Sequence, residues 1–382
     1  MTLRILALNW RDIDSPWAGG AEVQIHAVAE RLVARGHEVL LLASRFPGCD
    51  SEAEIRGVHV RRRGSWWNAN YVLWREARRE LDARRYDVVL EDVNKIAFFT
   101  PLCTRLPVVV LVPHLFGGTI FRETNPLLAA YIWLLERPIP RAYRRALFMP
   151  VSASTSADLV RRGVPPERCF VVHNGLDFGR YDRAEPPPRN PYPTLVHLGR
   201  LMRYKSAEVA VRTLVHVRRA LPEARLLVAG DGPDLPRLQR LVRRLGLDGP
   251  VEFLGYLAHD AKVDLLWRSH VALNPSPKEG WGLTVLEANA CGVPVVASRR
   301  PGLVDSVRDG ETGSLVEYGD ARAFATAALE LLRDARRRDE FAARARDWAR
   351  RFTWEDACVQ TERILKLAVD EGAEKRTPSP ES

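Results

Sequence analysis

Short apolar runs alternate with longer amphipathic stretches along almost the whole chain. In the first half the apolar runs are residues 4–8, 38–43, 58–62, 87–90, 108–112, 149–152 and 168–172. In the second half they are residues 194–198, 225–229, 251–254, 271–274, 293–297 and 314–316. Continuous apolar runs separated by helical stretches are typical of parallel sheets covered by helices. Because 382 residues exceed what one core usually serves, the pattern predicts an α/β fold with two Rossmann-like domains.

A proline-rich segment divides the two halves. Residues 185–193 read Glu-Pro-Pro-Pro-Arg-Asn-Pro-Tyr-Pro, which suits neither a helix nor an inner strand. We therefore predict an N-terminal domain at 1–185, a linker at 186–193 and a C-terminal domain at 194–352. Residues 321–370 read as helix with a break near Phe352, so Thr353 would cap a last helix at 354–370. The polar stretch 371–382 is expected to be a disordered tail.

Composition is that of an ordinary globular protein, with 46% hydrophobic and 27% charged residues. The five cysteines are scattered and never spaced as Cys-x-x-Cys, which predicts reduced thiols in a cytoplasmic protein. No signal-peptide layout and no membrane-length apolar run is seen. The net charge of +9 has two open explanations, a solvated arginine-rich surface or attraction to an anionic nucleotide or membrane. Nucleic acid is not an expected partner.

Residues 279–287 carry the strongest functional signal. They read Glu-Gly-Trp-Gly-Leu-Thr-Val-Leu-Glu, and an apolar run at 293–297 follows shortly afterwards. The glycines allow a loop, and the helix that begins after it has free N–H groups that attract phosphate. Carboxylates for hydroxyl groups and amides for a diphosphate are what a nucleotide-sugar site requires.

This spacing resembles the paired-glutamate motif of the retaining family 4 (group 1) glycosyltransferases. The resemblance implies a GT-B fold, with two Rossmann-like domains facing across a cleft and a C-terminal helix that crosses back to the N-terminal domain. It implies transfer of a hexose from a nucleoside diphosphate sugar to a hydroxyl acceptor, with retention of the anomeric configuration. No metal-binding pattern stands out in the sequence, so no metal or other cofactor is expected. The acceptor would be a glycan, a lipid-linked glycan or a lipid. The sugar and the nucleotide stay open.

Donor-binding residues follow from the resemblance. Gly199-Arg200 and Lys205 match the family's pattern of Gly-Arg, a short gap and Lys-Gly, and both cations would hold the donor diphosphate. Ser206 replaces the usual glycine, which puts the geometry of this loop in doubt. Glu279 would lie by the transferred sugar and Glu287 would hold the ribose hydroxyls. The remaining expected donor contacts are Gly19, Gly20, Gly230, Gly282, Leu283 and Thr284.

Other candidates lie in the first half. His114 follows a strand, where the resemblance implies a catalytic role and a structural histidine is the alternative. Asn94 and Lys95 belong to Glu91-Asp-Val-Asn-Lys95, which is either an acceptor contact or a solvated loop. Asn174 would border the interdomain cleft.

Two further segments have competing interpretations. Asp12-Ile-Asp14 spells a metal-binding tripeptide of another glycosyltransferase fold, but we interpret it as a solvated loop. Residues 126–148 either form two core-packed helices or rest on anionic lipid at the inner face of the plasma membrane. The expected lipid contacts are Trp133, Tyr143, Arg141, Arg144 and Arg145.

Two rival functions remain at this point. One is another enzyme of the same architecture, such as a sugar-nucleotide epimerase or a phosphorylase. The other is a non-catalytic module that binds a nucleotide sugar.

Overall fold

The computed structural model describes residues 1–374 except Arg84, Arg85, Lys95 and Glu123. It divides into two compact units. The first contains Met1–Gly175 and the chain from Trp354 onward, and the second contains Leu176–Thr353.

The first unit is built on a seven-stranded sheet in the order β3-β4-β2-β1-β5-β6-β7. Its strands are β1 (Arg4–Leu8), β2 (Glu38–Ala43), β3 (Glu52–Ile55), β4 (Val58–Arg62), β5 (Val88–Asp92), β6 (Val108–Val112) and β7 (Leu147–Pro150). The helices between them are α1 (Gly20–Ala34), α2 (Ala69–Ala83), α3 (Pro126–Glu136), α4 (Ile139–Ala142) and α5 (Ala153–Arg161). Only the pairing of β3 with β4 is antiparallel among those described in this unit.

The second unit has a six-stranded parallel sheet in the order β10-β9-β8-β11-β12-β13. Its strands are β8 (Thr194–Leu198), β9 (Arg225–Ala229), β10 (Val251–Gly255), β11 (Val271–Asn274), β12 (Val295–Ser298) and β13 (Gly313–Val316). Its helices are α6 (Ala207–Arg218), α7 (Leu235–Arg244), α8 (His259–Arg268), α9 (Leu283–Ala290), α10 (Leu303–Ser306), α11 (Ala321–Arg333) and α12 (Ala335–Ala349). The predicted pair of Rossmann-like sheets is therefore confirmed.

The last helix, α13 (Trp354–Glu374), returns to the first unit and packs against α1. Its Glu362 accepts a hydrogen bond from Arg35 Nε at 2.6 Å. This confirms the predicted return of the C-terminal helix. The helix runs past residue 370 to Glu374, so the first four residues of the predicted tail are helical, and Glu371 accepts a hydrogen bond from Arg168 at 3.3 Å. The rest of that tail lies outside the described residues.

The boundary between the units falls before the predicted one. Residues 176–193 belong to the second unit. Trp267 donates a hydrogen bond to the carbonyl of Tyr181 at 2.9 Å, and the amide of Asn190 donates to Arg268 O at 3.0 Å. These bonds attach both the end of the predicted first domain and the proline-rich segment to α8 of the second unit.

The Asp12-Ile-Asp14 segment is not a solvated loop, as we had predicted. Asp12 is fully buried, and its two carboxylate oxygens accept hydrogen bonds from Arg62 at 2.7 and 2.9 Å. Arg62 also donates to the exposed Asp14 at 3.0 Å. A buried guanidinium requires a paired anion, so this segment neutralises the end of β4.

The apolar segment after residue 126 forms α3 and α4. Tyr143, predicted to lie at a lipid surface, is instead fully buried in the hydrophobic core of the first unit, where its hydroxyl donates a hydrogen bond to the Glu91 carboxylate. Along the ranges given above, no helix is both long and apolar enough to cross a bilayer.

Candidate active site

Lys205 and Glu279 form the centre of the candidate site in the second unit. Lys205 lies in the turn between β8 and α6, and Glu279 lies in the loop after β11, the strand beside β8. Lys205 Nζ is 2.6 Å from Oε1 and 2.8 Å from Oε2 of Glu279, and the two side chains are 20% and 14% exposed. Burial alone lowers the pKa of Lys205, but Glu279 raises it more, so its pKa lies above its ordinary value. The lysine is therefore a cation held by a carboxylate.

Ser206 has a backbone conformation that glycine adopts more readily than serine. Its φ of 55° and ψ of 36° lie in the left-handed region, which few residues other than glycine adopt. Its side chain is buried, with Oγ 3.1 Å from the hydroxyl of Tyr318. A serine in this region of φ and ψ is strained, and the hydrogen bond with Tyr318 helps to hold it there.

The Glu279 loop is fixed by the turn after β12. The amide of Glu279 donates to Pro301 O at 3.1 Å. The next residue, Gly302, has φ +81°, and a Cβ there would lie 2.2 Å from the carbonyl oxygen of Glu279. Only glycine lets the two backbones approach this closely.

The N-terminus of α9 lies three residues after Glu279. Gly282 precedes the helix, and within the described ranges the amides of Leu283 and Thr284 have no backbone acceptor. Asn274 at the end of β11 donates to Thr284 Oγ1 at 3.3 Å, which ties the helix start to the sheet edge. Unpaired amides and the helix dipole make this an anion-binding position.

Glu287 is held on the next turn of α9 by two residues that the sequence analysis missed. Its Oε1 accepts hydrogen bonds from Tyr181 Oη at 2.9 Å and from Lys262 Nζ at 2.5 Å. Burial first, and then the charge of Glu287, raise the pKa of Tyr181. No local pattern marks either residue, since they lie 106 and 25 positions away from Glu287 along the chain.

The other predicted donor residues of this unit lie on neighbouring loops. Arg200 follows β8 and is exposed. Gly230 follows β9, and a Cβ there would lie 1.9 Å from Gly199 O, so glycine permits the two loops to touch. This backbone contact requires glycine at position 230 whether or not a ligand binds there.

In the first unit, Gly19 and Gly20 lie at the start of α1 as predicted. Gly19 N–H already donates a 2.7 Å hydrogen bond to the buried Glu22 carboxylate. Asn94 Nδ2 is 3.4 Å from the other oxygen of Glu22. The structure therefore joins the Gly19 and Asn94 regions through Glu22, and one amide expected to meet a phosphate already has a carboxylate partner.

His114 and Asn174 are placed separately. The His114 ring lies 4.8 Å from the ring of Phe116, edge to face, after β6. Asn174 is buried near the end of the first stretch of this unit. Lys95 lies outside the described residues.

The solvated-loop alternative for Glu91 is wrong. Glu91 is fully buried and accepts hydrogen bonds from Phe98 N at 2.6 Å, Thr100 Oγ1 at 2.6 Å and the Tyr143 hydroxyl. Burial raises its pKa, and these hydrogen bonds oppose that rise. Glu91 therefore stabilises the loop after β5.

No group of three or more histidine, cysteine, aspartate or glutamate side chains that could hold a metal ion occurs among the described residues. Metal independence stays a prediction.

Two family models match consecutive parts of the chain. The model described as Glycosyltransferase Family 4 matches residues 18–180, and the model described as Glycosyl transferases group 1 matches residues 180–348. Together they span both units.

Curated relatives match at moderate identity. The chain is 32% identical over 236 residues to D-inositol 3-phosphate glycosyltransferase 2 of Catenulispora acidiphila, covering 56% of this chain and 55% of the relative. It is 37% identical over 164 residues to a GDP-mannose-dependent alpha-(1-6)-phosphatidylinositol monomannoside mannosyltransferase of Mycolicibacterium smegmatis, covering 41% and 43%. The chain thus spans about half the length of the first relative and less of the second.

Solved structures resemble the fold over nearly the full length. HepE of Anabaena, in complex with UDP and glucose, matches with TM-score 0.75 and 21% identity over 96% of this chain and 100% of that one. Sucrose-phosphate synthase of Thermosynechococcus elongatus matches with TM-score 0.79 and 21% identity over the same shares. At this identity the likeness establishes the GT-B fold alone.

Proposed function

Because this chain belongs to the group 1 glycosyltransferases of family 4, we propose that it moves a hexosyl group from a nucleoside diphosphate sugar to a hydroxyl acceptor. The acceptor is a glycan, a lipid-linked glycan or a lipid, and the anomeric configuration is retained. The observation that carries the proposal is the ion pair of Lys205 and Glu279. Glu279 lies three residues before Gly282, where α9 begins with amides that have no backbone acceptor among the described residues. Cation, carboxylate and free amides together suit a sugar diphosphate.

The bond that breaks joins the anomeric carbon of the sugar to an oxygen of the diphosphate. As it breaks, negative charge accumulates on the departing phosphate. Lys205, Arg200 and the amides of Leu283 and Thr284 are positive groups fixed on the ends of β8 and α9, and fixed positive groups lower such a barrier. No step requires a metal ion.

Retention follows from attack on the face that the phosphate leaves. The acceptor oxygen forms the new bond to the anomeric carbon, and its proton passes to the departing phosphate oxygen. The products are the glycoside and the nucleoside diphosphate. Lys205 holds the phosphate during this exchange, and Glu279 lies beside the sugar.

Glu287 binds the ribose hydroxyls of the nucleotide. Its Oε1 is already bonded to Tyr181 and Lys262, while Oε2 has no partner in the part of the chain that the structure describes. A fixed carboxylate with one open oxygen is a suitable acceptor for a hydroxyl donor. Tyr181 and Lys262 act as positioning residues.

The first unit receives the acceptor, with Asn94 and Asn174 as contacting residues and His114 in a catalytic role. His114 lies two residues after the end of β6 and Asn94 two residues after the end of β5, so both lie at the carboxyl edge of the sheet. Ligands of parallel α/β sheets bind at that edge.

The test uses the full chain with UDP-glucose, GDP-mannose and UDP-N-acetylglucosamine. Nucleoside diphosphate release and the anomeric configuration of the product are measured with and without acceptors. Lys205→Ala should lower the transfer rate by about 100- to 1,000-fold, which is about 3 kcal/mol of transition-state stabilisation. Arg212→Ala, which removes an exposed cation on α6, is the matched control and should leave the rate unchanged.

Other outcomes identify the rival functions. An epimerised nucleotide sugar indicates an epimerase, and sugar release that depends on added phosphate indicates a phosphorylase. Binding of a nucleotide sugar without hydrolysis or transfer indicates a non-catalytic module.

We also propose that the first unit rests on an anionic membrane surface through α3 and the segment after it. Leu127, Tyr131 and Leu134 lie on one face of α3 and are 85%, 52% and 54% exposed. The exposed Arg141, Arg144 and Arg145 follow (residues 141–145), and apolar and basic groups together favour an anionic lipid interface.

Sedimentation with vesicles of anionic and of neutral phospholipid tests this proposal. The wild-type chain should sediment with anionic vesicles only, and salt should weaken the association. Leu127→Glu with Leu134→Glu should abolish it. Equal binding by this double variant, or no binding by the wild-type chain at low salt, contradicts the proposal.

A further inference from the structure

The carboxyl edge of the first sheet holds two buried polar side chains with atoms that have no hydrogen-bond partner among the described residues. Asn9 directly follows β1, Asp92 is the last residue of β5, and both are fully buried. The strands are parallel neighbours in a register that pairs Leu8 with Glu91. The next residues along each strand, Asn9 and Asp92, therefore lie side by side with their side chains on the same face.

The amide of Asn9 has a defined orientation. Its Oδ1 accepts a hydrogen bond from the backbone amide of Trp10 at 2.8 Å, so Nδ2 is the end that points elsewhere. Nδ2 has no hydrogen-bond partner within the described ranges, and neither has either carboxylate oxygen of Asp92. An unmade buried hydrogen bond costs about 1–3 kcal/mol. A donor and an acceptor that are neighbours but not bonded to each other can both be satisfied by one group that accepts and donates a hydrogen bond.

Glu22 of α1 supplies a second carboxylate close to Asp92. Its charge, after burial, contributes to a pKa of Asp92 that is raised well above the ordinary value. The Glu22 carboxylate also accepts a 2.7 Å hydrogen bond from the Gly19 amide at the start of α1. The helix start is thus already neutralised by a carboxylate, and this edge of the sheet disfavours a phosphate.

We propose that Asn9, Asp92 and Glu22 form the inner wall of the acceptor site and bind an uncharged hydroxyl-bearing group, a sugar or polyol that carries no phosphate where it meets this wall. The inference rests on the proposed glycosyl transfer and defines its acceptor more narrowly. A hydroxyl accepts from Asn9 Nδ2 and donates to a carboxylate, which satisfies both orphaned groups. A phosphate monoester has mainly acceptor oxygens at neutral pH, and it would meet the charge of Glu22.

The experiment compares matched pairs of probes by saturation-transfer NMR titration at pH 7.5: glucose and glucose 6-phosphate, mannose and mannose 6-phosphate, myo-inositol and inositol 1-phosphate. In each pair that binds, the neutral compound should bind at least about ten-fold more tightly, a difference of about 1.4 kcal/mol. Equal or tighter binding of the phosphates, or no binding of any neutral probe, overturns the proposal.

Two variants locate the effect. Asp92→Asn keeps the side-chain shape and should weaken binding of the neutral probes at least ten-fold, and Asn9→Ala should weaken it in the same direction. The control is Asp87→Asn, the same exchange directly before β5, where Asp87 accepts a hydrogen bond from Arg4 N at 2.7 Å. It should bind the probes as the wild-type chain does. Thermal unfolding shows that each variant is folded, and unchanged binding by a folded Asp92→Asn contradicts the proposal.

These titrations need no turnover, so they separate the two claims. Hydrolysis of the nucleotide sugar by the wild-type chain tests the transfer reaction. Selective binding of neutral probes tests the acceptor wall, whether or not hydrolysis is seen.

Discussion

Replacing Glu279 with glutamine should make the protein bind a nucleoside diphosphate more tightly while it transfers sugar more slowly. The substitution keeps the side-chain shape and removes one negative charge. In the unliganded protein that charge faces Lys205, whose Nζ lies 2.6 and 2.8 Å from its two oxygens. If Lys205 binds the diphosphate, Glu279 competes with the ligand for the same cation.

The size of the effect follows from the exposure of the pair. Two unit charges about 4 Å apart interact by about 4 kcal/mol at an effective dielectric constant near 20. The Lys205 and Glu279 side chains are 20% and 14% exposed, so solvent screens part of this Coulomb attraction. The cost of removing both charged groups from water offsets a further part of the attraction. We therefore expect Glu279→Gln to bind the nucleoside diphosphate more favourably by about 1 to 1.4 kcal/mol, which lowers Kd roughly five- to ten-fold.

The gain should depend on pH. Glu279 raises the pKa of Lys205 against the lowering effect of burial. In the variant burial remains and the carboxylate charge is gone, so the pKa of Lys205 falls and the lysine loses its proton at a lower pH than in the wild-type chain. Tighter binding should therefore be largest at mildly acid pH and fade as the pH rises.

The assay is calorimetric titration with UDP and with GDP at two salt concentrations. Glu223→Gln, which neutralises an exposed glutamate of the same unit, is the control for net charge. The titration is repeated in a Lys205→Ala background, where the gain should disappear. Unchanged or weaker binding by Glu279→Gln, or the same gain without the lysine, refutes the reasoning.

Three further substitutions test the surrounding structure. Glu362 has its pKa lowered from 4.5 to about 2, first by a hydrogen bond from the lysine one turn later, so Glu362→Gln should lower the free energy of unfolding by about 1–2 kcal/mol at pH 7 after discounting for solvent. Because a lowered carboxyl pKa stabilises above the unfolded value, this difference should vanish between pH 4.5 and about 2 in urea unfolding, and a constant difference contradicts it. Tyr181→Phe should reduce the preference for UDP over 2′-deoxy-UDP by about two- to ten-fold in calorimetry, since it frees the Glu287 carboxylate; an unchanged ratio counts against the ribose role. Gly302→Ala should lower the free energy of unfolding by at least about 1 kcal/mol more than Gly310→Ala, whose φ of +76° is similar but whose Cβ would meet nothing within 4 Å; equal losses would show that φ alone matters.

Much of the fold could be predicted because its inner strands are continuous apolar runs. β3 was missed because Glu-Ala-Glu-Ile is half exposed and pairs antiparallel at the edge of the sheet, where burial does not select an apolar run. Residues 168–172 were predicted as a strand. They run beside β7, with Phe170 N bonded to Phe148 O at 2.8 Å, but make only an isolated bridge at Cys169.

The motifs of the candidate site could be predicted from the sequence, but the contacts between their side chains could not. Lys205 and Glu279 were both selected, but they lie 74 positions apart, and only the order of the strands brings them together. The pairing of Asp12 with Arg62 across 50 positions escaped prediction for the same reason. Short-range patterns report backbone geometry and local anion sites, whereas partners distant in sequence are fixed by topology.

The return of α13 to α1 makes the order of synthesis differ from the order in which the units can be completed. Leu176–Thr353 is one uninterrupted stretch, so all residues of the second unit have been synthesised before Trp354 is added. The first unit, although begun earlier, lacks Glu362 for Arg35 and the apolar side of α13 until that helix has been synthesised. A nascent chain that ends before Trp354 therefore leaves the surface of α1 that α13 covers exposed to solvent.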